Sequence, residues 1–471
     1  MVERTAGDRL AEPVTGEPSA TGQRTVRADL IVVGLALVLV AVSSAVGMYL
    51  NRPESTVDIW APAPPLFGRW MPHVGPGTAF AVLLAVTVVA WGQPVAARLP
   101  WRPALALGYL TAVAWTFSLA MVDGWQRGFA GRLTHRTEYL HEVPGITDIP
   151  TMLSEFTGRI LAFQPDSWTT HVSGHPPGAT LVFVWLDRVG LSGGAWAATL
   201  VLLAGCLVAV AVPVTVGVLA GPLQARAVLP FAALSPAAVW IGASADGMFT
   251  GVIATGIALL AVATRGVAEA RPWATPCAVV AGLLLGFGIF LSYGLVLVGV
   301  VALAVVLTTR AWRVSIIAIL AALAVVGVFA LAGFWWLDGY HLVVQRYYQG
   351  LGSTRPYAYW VWANVAAAAI AAGPAVVAGV RRTVVGIVED PSWRRAVIRR
   401  PLSVLVLAAL LAIVLADASG LSKAEVERIW LPFMVWLLPA TALVPARTVR
   451  WWLAGQAATA IAVNHLVWTY W

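Results

Sequence analysis

Apolar runs of roughly 18–22 residues recur along this chain from residue 29 to its end, each long enough to cross a hydrocarbon core of about 30 Å. That recurrence excludes most of fold space. Inside lipid a segment must satisfy its own backbone hydrogen bonds, so only helices and closed barrels can span. Barrel strands alternate apolar and polar residues, whereas these runs are continuous. With 59% hydrophobic and 11% charged residues in 471, the chain reads as an all-α polytopic membrane protein. The runs fall at about 29–50, 77–97, 103–122, 195–219, 227–243, 247–264, 274–291, 293–309, 314–336, 358–380, 402–418, 429–446 and 450–470. They predict about 13 transmembrane helices.

Residues 1–28 are polar, lack a signal-peptide pattern and are expected to form a disordered cytoplasmic tail. Cys206 and Cys277 both sit inside apolar runs, which argues against a disulfide or metal role. Lys423 is the only lysine, and with the abundance of Ala, Val and Gly this points to a GC-rich genome, of the kind found in actinobacteria. The net charge of +8 lies in short arginine clusters between apolar runs, where it sets topology and does not mark a nucleic-acid partner.

The arginines also decide the fate of a short apolar run at about 178–190. With the N-terminus cytoplasmic, Arg98 and Arg102 lie inside and the loop from Asp123 to Pro177 lies outside. If the short run does not span, Arg226, Arg265, Arg271, Arg310, Arg313, the Arg381–Arg400 cluster, Arg447 and Arg450 all fall inside. If it spans, every one of them flips outside. The run is also too short to cross comfortably, and Asp187 and Arg188 interrupt its end. The expectation is a juxtamembrane helix in the outer interface.

This topology collects the acids in outer segments: 51–76, 123–177, Ser244–Asp246, 337–357 and 417–428. The 123–177 loop is the densest in chemistry, and with His175 just before Pro176 and Pro177 it holds four of the seven histidines. Asp123 directly follows an apolar run, at headgroup level, where a carboxylate can act as general base; the alternative is an Asp-Gly helix stop with Trp125 as an anchor. Arg136 to Leu140, with Glu142 and Asp148 beyond, reads as a short amphipathic outer helix carrying Glu138 on its wet face. Gly174-His175-Pro176-Pro177-Gly178 rigidifies the entry to the next helix, and a helix N-terminus beside an imidazole suits a phosphate; a ligand-free joint is the alternative. Asp246 either makes a turn between two apolar runs or lines a cavity. The aromatic-rich segment Trp335 to Tyr359 reads as an interfacial belt, in which Arg346 and Arg355 are unusual outer cations suited to a lipid phosphate. Lys423 and Arg428 are likewise outer cations before a helix; a Glu427–Arg428 structural pair is the alternative. No P-loop, dinucleotide fingerprint or convincing metal-ligand cluster is present, and there is no nucleotide-binding soluble domain. An enzyme of this kind would need a donor activated on a lipid carrier.

The order of these pieces resembles the GT-C superfamily of polyprenyl-phosphate-sugar-dependent glycosyltransferases, especially the protein O-mannosyltransferase and aminoarabinose-transferase type. The matching elements are Glu138-Tyr139, His175-Pro176-Pro177 with the 178–190 juxtamembrane helix, Leu234-Ser235-Pro236 leading to Asp246, Gly282 to Gly288, and Arg428-Ile429-Trp430-Leu431-Pro432. The likeness covers roughly 103–445 and departs in three ways. Two helices precede the family's usual first one, Ser292-Tyr293 replaces a Lys-Tyr element, and the usual Asp-Glu pair is absent. Asp123 and Glu138 therefore stand as alternative bases, with Asp58 as a weaker third.

The resemblance implies this organisation: a 1–28 tail, two extra transmembrane helices in 29–102, a GT-C-like core at 103–446 with the 123–177 outer loop, and a last helix in 447–471. It implies an inverting transfer of a hexosyl or pentosyl group at the outer face of the plasma membrane, in cell-envelope biogenesis. The donor would be a polyprenyl-phosphate sugar and the acceptor a glycan, lipid or protein, with membrane lipids as further partners and no nucleic acid. Asp123 or Glu138 would be the base; His175, Asp246, Arg346, Arg355, Lys423, Arg428, Tyr139 and His171 would bind substrate or lipid phosphate. The scheme requires no cofactor, and a divalent metal stays open. The competing classes are a transporter or flippase for lipid-linked intermediates, which should show internal repeats and charges in mid-membrane, and a non-catalytic assembly factor.

Overall fold

The computed structural model describes residues 20–389 and 399–470, with side chains from residue 25 onward. The chain is helical nearly throughout, as the continuous apolar runs require. Seven helices are each long and apolar enough to cross a bilayer: Thr25–Leu50, Thr78–Arg98, Trp101–Asp123, Gly194–Ala220, Ala245–Ala268, Trp312–Leu331 and Pro401–Ala418. Two bent pairs, Tyr357–Ala372 with Pro374–Val388 and Leu431–Leu443 with Ala446–Leu466, raise the number to nine if each is one span. The protein is a multi-pass, all-α membrane protein.

The count departs from one helix per apolar run, and the reasons are local. The 227–243 run stops at Leu234, before Pro236, and yields the short helices Pro222–Ala233 and Ala238–Ile241. The 274–291 and 293–309 runs form only the shorter apolar helices Ala274–Gly288 and Tyr293–Thr309, the second opening as a 3-10 turn, with the turn Ile289–Ser292 between them. The 358–380 run breaks by 110° at Gly373, whose φ of +83° is left-handed. The first helix, α1 (Ala20–Leu50), begins before the expected boundary, so residues 20–28 are helical; the remainder of the expected disordered tail, 1–19, lies outside the described residues. Asp29 is buried in α1, where Arg381 and Arg382 both donate to its carboxylate. Residues 390–398 of the arginine cluster also lie outside the described residues.

The core centres on the Ala245–Ala268 helix, which packs against Ala274–Gly288, Gly194–Cys206 and Val208–Ala220. Its partners present Ala, Gly and Val, the small residues that let membrane helices approach closely. By contrast α1 and Trp312–Leu331 keep most of their side chains outward, as lipid-facing helices do. The run at 178–190 is a 12-residue helix, Pro177–Arg188, about 18 Å long at the α-helical rise and too short to span.

The two extra N-terminal helices, α1 and α2 (Thr78–Arg98), precede α3 (Trp101–Ala120). The loop between α1 and α2 carries β1 (Gly68–Trp70), which pairs antiparallel with β2 (Val467–Thr469) at the far end of the chain. Backbone bonds from Met71 to Leu466 and from His73 to His465 continue that ribbon. Loop 51–76 is thereby fixed beside the end of α3, where Asp123 sits.

Candidate active site

Asp123 ends α3 in a single 3-10 turn, and Gly124, at φ +79°, turns the chain away. Four residues on, Arg127 donates through Nη1 to Asp123 Oδ1, and its Nη2 donates to the Thr469 carbonyl. His73 Nε2 lies 3.0 Å from the same Oδ1. Both Arg127 and Arg69 stack on the Trp468 ring of β2. The Asp123 set is thus assembled from three distant parts of the sequence.

The segment Arg136–Glu142 does not form the expected amphipathic helix with Glu138 on a wet face. It folds as short 3-10 turns in which Tyr139 is buried against His171, His175 and Phe183. Burying Tyr139 turns Glu138 inward, to 9% exposure, with Oε1 2.8 Å from His171 Nδ1. Burial alone would raise the Glu138 pKa, yet the His171 imidazole, then Arg428 and Arg132, hold it below the ordinary carboxylate value. His175 donates from Nδ1 to the His171 carbonyl, and burial pushes its pKa down to about 4, so its ring is neutral at physiological pH with Nε2 as an acceptor. Pro177 opens the following helix, so His175 stands at a fixed angle beside that helix's start.

Asp246 lies in the first turn of the Ala245–Ala268 helix, capped by Ser244. It does not simply make a turn: Arg428 donates to its Oδ2 through Nη1, and through Nη2 to Glu425 Oε2 at 3.2 Å. Arg355 reaches the other oxygen of Glu425 at 2.9 Å and the Lys423 carbonyl. Ala424 and Glu425 are both left-handed, a costly backbone for residues with a Cβ, and Asn364 holds the segment through Ala424 N and the Ser422 carbonyl. The Arg428 pKa is raised although burial lowers it, because Asp246, Glu425 and Glu138 surround it. Glu427 is not Arg428's partner; its Oε1 accepts from the Phe67 amide of the first loop.

The structure therefore brings Glu138, Tyr139, His171, His175, Asp246, Arg355 and Arg428 into one band, with Asp123 in an adjoining set; Lys423 meets it only through its backbone carbonyl, its Nζ donating to the Gly352 carbonyl at 2.8 Å. Arg346 is half-buried on the Trp336–Gln349 helix and, among the described residues, forms no ion pair with these carboxylates. Asp58 is exposed and accepts from the Trp60 amide in its own turn, away from the band's bonds.

Sequence reading missed His73, Arg127, Arg132 and Glu425. Arg132 is the most informative. It is half-buried within the fields of Asp123, Glu138, Arg127 and Arg428, and so links the two sets. Its Nη2 and the Tyr139 hydroxyl are buried without a hydrogen-bond partner among the described residues. Burial lowers the Arg132 pKa to about 10, so it stays charged. The signal that flagged Arg346 and Arg428, an arginine in an outer loop, applied equally to Arg132. Among the described residues no three His, Cys, Asp or Glu side chains are grouped to hold a metal ion; Asp123, Asp246 and Glu425 each pair with an arginine, and Glu138 contacts the His171 ring.

No protein-family model matches the chain, and none of the curated proteins does. Solved structures do. The crystal structure of the Archaeoglobus fulgidus oligosaccharyltransferase in its apo form matches with a TM-score of 0.51 at 13% identity, over 78% of this chain and 56% of that one. The complex of the same enzyme with Zn and sulfate matches with a TM-score of 0.45 at 13% identity, over 78% and 53% of the two chains. The chain thus spans just over half the length of the structures it matches. At such identity the apo likeness shows a shared fold.

Proposed function

We propose that this protein is a GT-C-type glycosyltransferase that moves a sugar from a polyprenyl-phosphate donor to a cell-envelope acceptor, with inversion, at the outer face of the plasma membrane. One observation carries the reading. Acids and cations from the 123–177 loop, the start of the Ala245–Ala268 helix and the 423–428 segment converge in a buried band, and donors within it stay unbonded. Such preorganised charge in a low-dielectric setting is what stabilises charge developing in a transition state.

Asp123 is the base in this reading. His73 and Arg127 both contact Oδ1, and Oδ2, unbonded among the described residues, is left for an acceptor hydroxyl. The hydroxyl proton passes to Asp123 as the acceptor oxygen bonds to the anomeric carbon. The bond from that carbon to the phosphate oxygen breaks, and the electron pair leaves with the lipid phosphate. Arg132, whose Nη2 has no hydrogen-bond partner among the described residues, and the Tyr139 hydroxyl receive the phosphate. Arg428, bound to Asp246 and Glu425, fixes the geometry behind them, and Glu138 holds His171. Arg346 contributes at the lipid side, and the Pro177–Arg188 helix lies in the outer interface. Arg127 and Arg428 already pair with Asp123 and Asp246, and the scheme requires no metal for the transfer step.

The test uses the full chain in liposomes with labelled polyprenyl-phosphate sugars and a panel of envelope acceptors. The expected result is a glycosidic product whose rate falls about 10²- to 10⁴-fold in Asp123→Asn, the scale of a lost general base. Movement of the lipid between leaflets with no glycosidic product would replace this reading with a transporter.

A further inference from the structure

The two N-terminal helices lie outside the stretch that carries the family resemblance, yet they supply a residue to the site. The loop between them meets the end of α3 backbone to backbone. A Cβ on Gly75 would fall 1.8 Å from the Val122 carbonyl oxygen, and one on Gly77 would fall 1.9 Å from that of Ser118. Gly77 N also donates to the Met121 carbonyl at 3.1 Å. Only glycine permits this approach, and it seats His73 against Asp123. From the other side, the His73 amide donates to the His465 carbonyl at 2.8 Å. Thr78 Oγ1 accepts from the Gly75 amide and stands 2.9 Å from His465 Nε2. His465 Nδ1 lies 2.8 Å from the Ile461 carbonyl and so carries its proton there, which leaves Nε2 to accept from Thr78.

The hydrogen bonds of His73 fix its protonation. Nδ1 lies 2.8 Å from the Met71 carbonyl, which can only accept, so Nδ1 bears a proton. Nε2 lies 3.0 Å from Asp123 Oδ1, which as a carboxylate oxygen can only accept as well. A neutral ring would set a lone pair against that oxygen. The contact is satisfied when Nε2 also bears a proton. The charged or titratable groups facing this pair are Arg127, bonded to the same Oδ1, Arg132, within the field of Asp123, Arg69, stacked with Arg127 on Trp468, and the His465 ring, 6.4 Å away between centroids.

We infer that His73 is a positioning residue for Asp123: with Arg127 it occupies Oδ1 and thereby presents Oδ2 to the acceptor hydroxyl. This rests on the reading of Asp123 as the base. No bond is made or broken at His73, and the acceptor proton goes to Asp123 Oδ2 as above. The extra helices and the C-terminal strand are then the frame that holds His73 in place.

The experiment compares wild type, His73→Ala and His73→Gln in the liposome transfer assay. His73→Ala should lower kcat about 10- to 100-fold, the scale of a mispositioned catalytic group, with donor KM within about twofold. Gln keeps an N–H donor for Asp123 Oδ1, so His73→Gln should recover most of kcat. Full activity in His73→Ala, or no recovery in His73→Gln, overturns the inference. A readout without transfer separates it from the functional reading. The thermal stability of the detergent-solubilised chain should fall in His73→Ala and return in His73→Gln, because the Oδ1 contact is lost and then restored. Equal stability in the two variants overturns the contact, whereas restored stability in a chain that transfers no sugar overturns only the function.

Discussion

Arg428 and Asp246 are 182 positions apart and meet as a buried, charge-assisted pair. The pair joins the N-terminus of the central helix to the 423–428 segment, and Arg428 extends it to Glu425. A buried pair is a weak source of net stability, but removing one partner strands the other charge at a cost of about 3–5 kcal/mol. Asp246→Ala or Arg428→Met should therefore lower the midpoint of thermal unfolding markedly. Asp246→Asn combined with Arg428→Met should be less damaging than Arg428→Met alone, because the stranded carboxylate is gone. Additive losses in the double variant would show that the two residues are not coupled.

Glu427 gives the fold a pH signature. Fully buried, with Oε1 accepting from the Phe67 amide and Oε2 unbonded among the described residues, its pKa is raised by burial to about 7. The folded state therefore binds a proton that the unfolded chain releases near pH 4.5. This contribution is present in full below the unfolded value, is lost as pH rises toward about 7, and then levels off. Glu427→Gln keeps an acceptor for the Phe67 amide without titrating. Its stability should be flatter than that of wild type between those two values, as measured by unfolding in detergent. Parallel curves would sink the assignment.

The legibility of the chain follows from how far apart its determinants lie. Continuous hydropathy is a local property, so the long spans could be read directly, and the Asp187-Arg188 interruption marked the short helix correctly. Hydropathy ignores backbone direction, however, so the sharp break at Gly373 was smoothed into one span at 358–380. Within the site, His171, His175, Asp246 and Arg428 stood out as polar residues in an apolar chain. Glu138 was identified but faced wrongly, because the period-based reading of 136–142 cannot sense that Tyr139 packs among His171, His175 and Phe183. His73 was invisible, since its place depends on Gly68 pairing with Thr469 at the far end of the chain.

His175 and Glu138 should titrate in separate windows. The His175 pKa falls from its ordinary value of 6.5 to about 4, so the folded state resists a proton that the unfolded chain takes up. Its contribution is intact above about pH 6.5 and diminishes as pH falls toward about 4. The Glu138 pKa is depressed below its ordinary 4.5, so its contribution is present above that value and is lost as pH falls further. His175→Gln should remove the upper part of the acid loss of stability and leave the lower part, whereas Glu138→Gln should do the reverse. Transfer activity of His175→Gln should show no new pH limb between about 6.5 and 8, because the wild-type ring is already neutral there. A new limb in that range would mean that His175 acts as the imidazolium.

The placement of the site on the outer face has a direct check at Phe163. This residue is 88% exposed, in a left-handed backbone at φ +69°, on the same loop as Glu138. Cys206 is buried and carries its thiol inside the helical core, and Cys277 can be replaced by Ser to leave a silent background. In that background Phe163→Cys should react with a membrane-impermeant maleimide added to intact cells, at a rate unchanged by permeabilisation. A cysteine at Val388, 78% exposed beside the arginine-rich segment, should react only after permeabilisation. The reverse pattern would place the Asp123–Glu138 band on the cytoplasmic side, where the proposed outer-face transfer cannot take place.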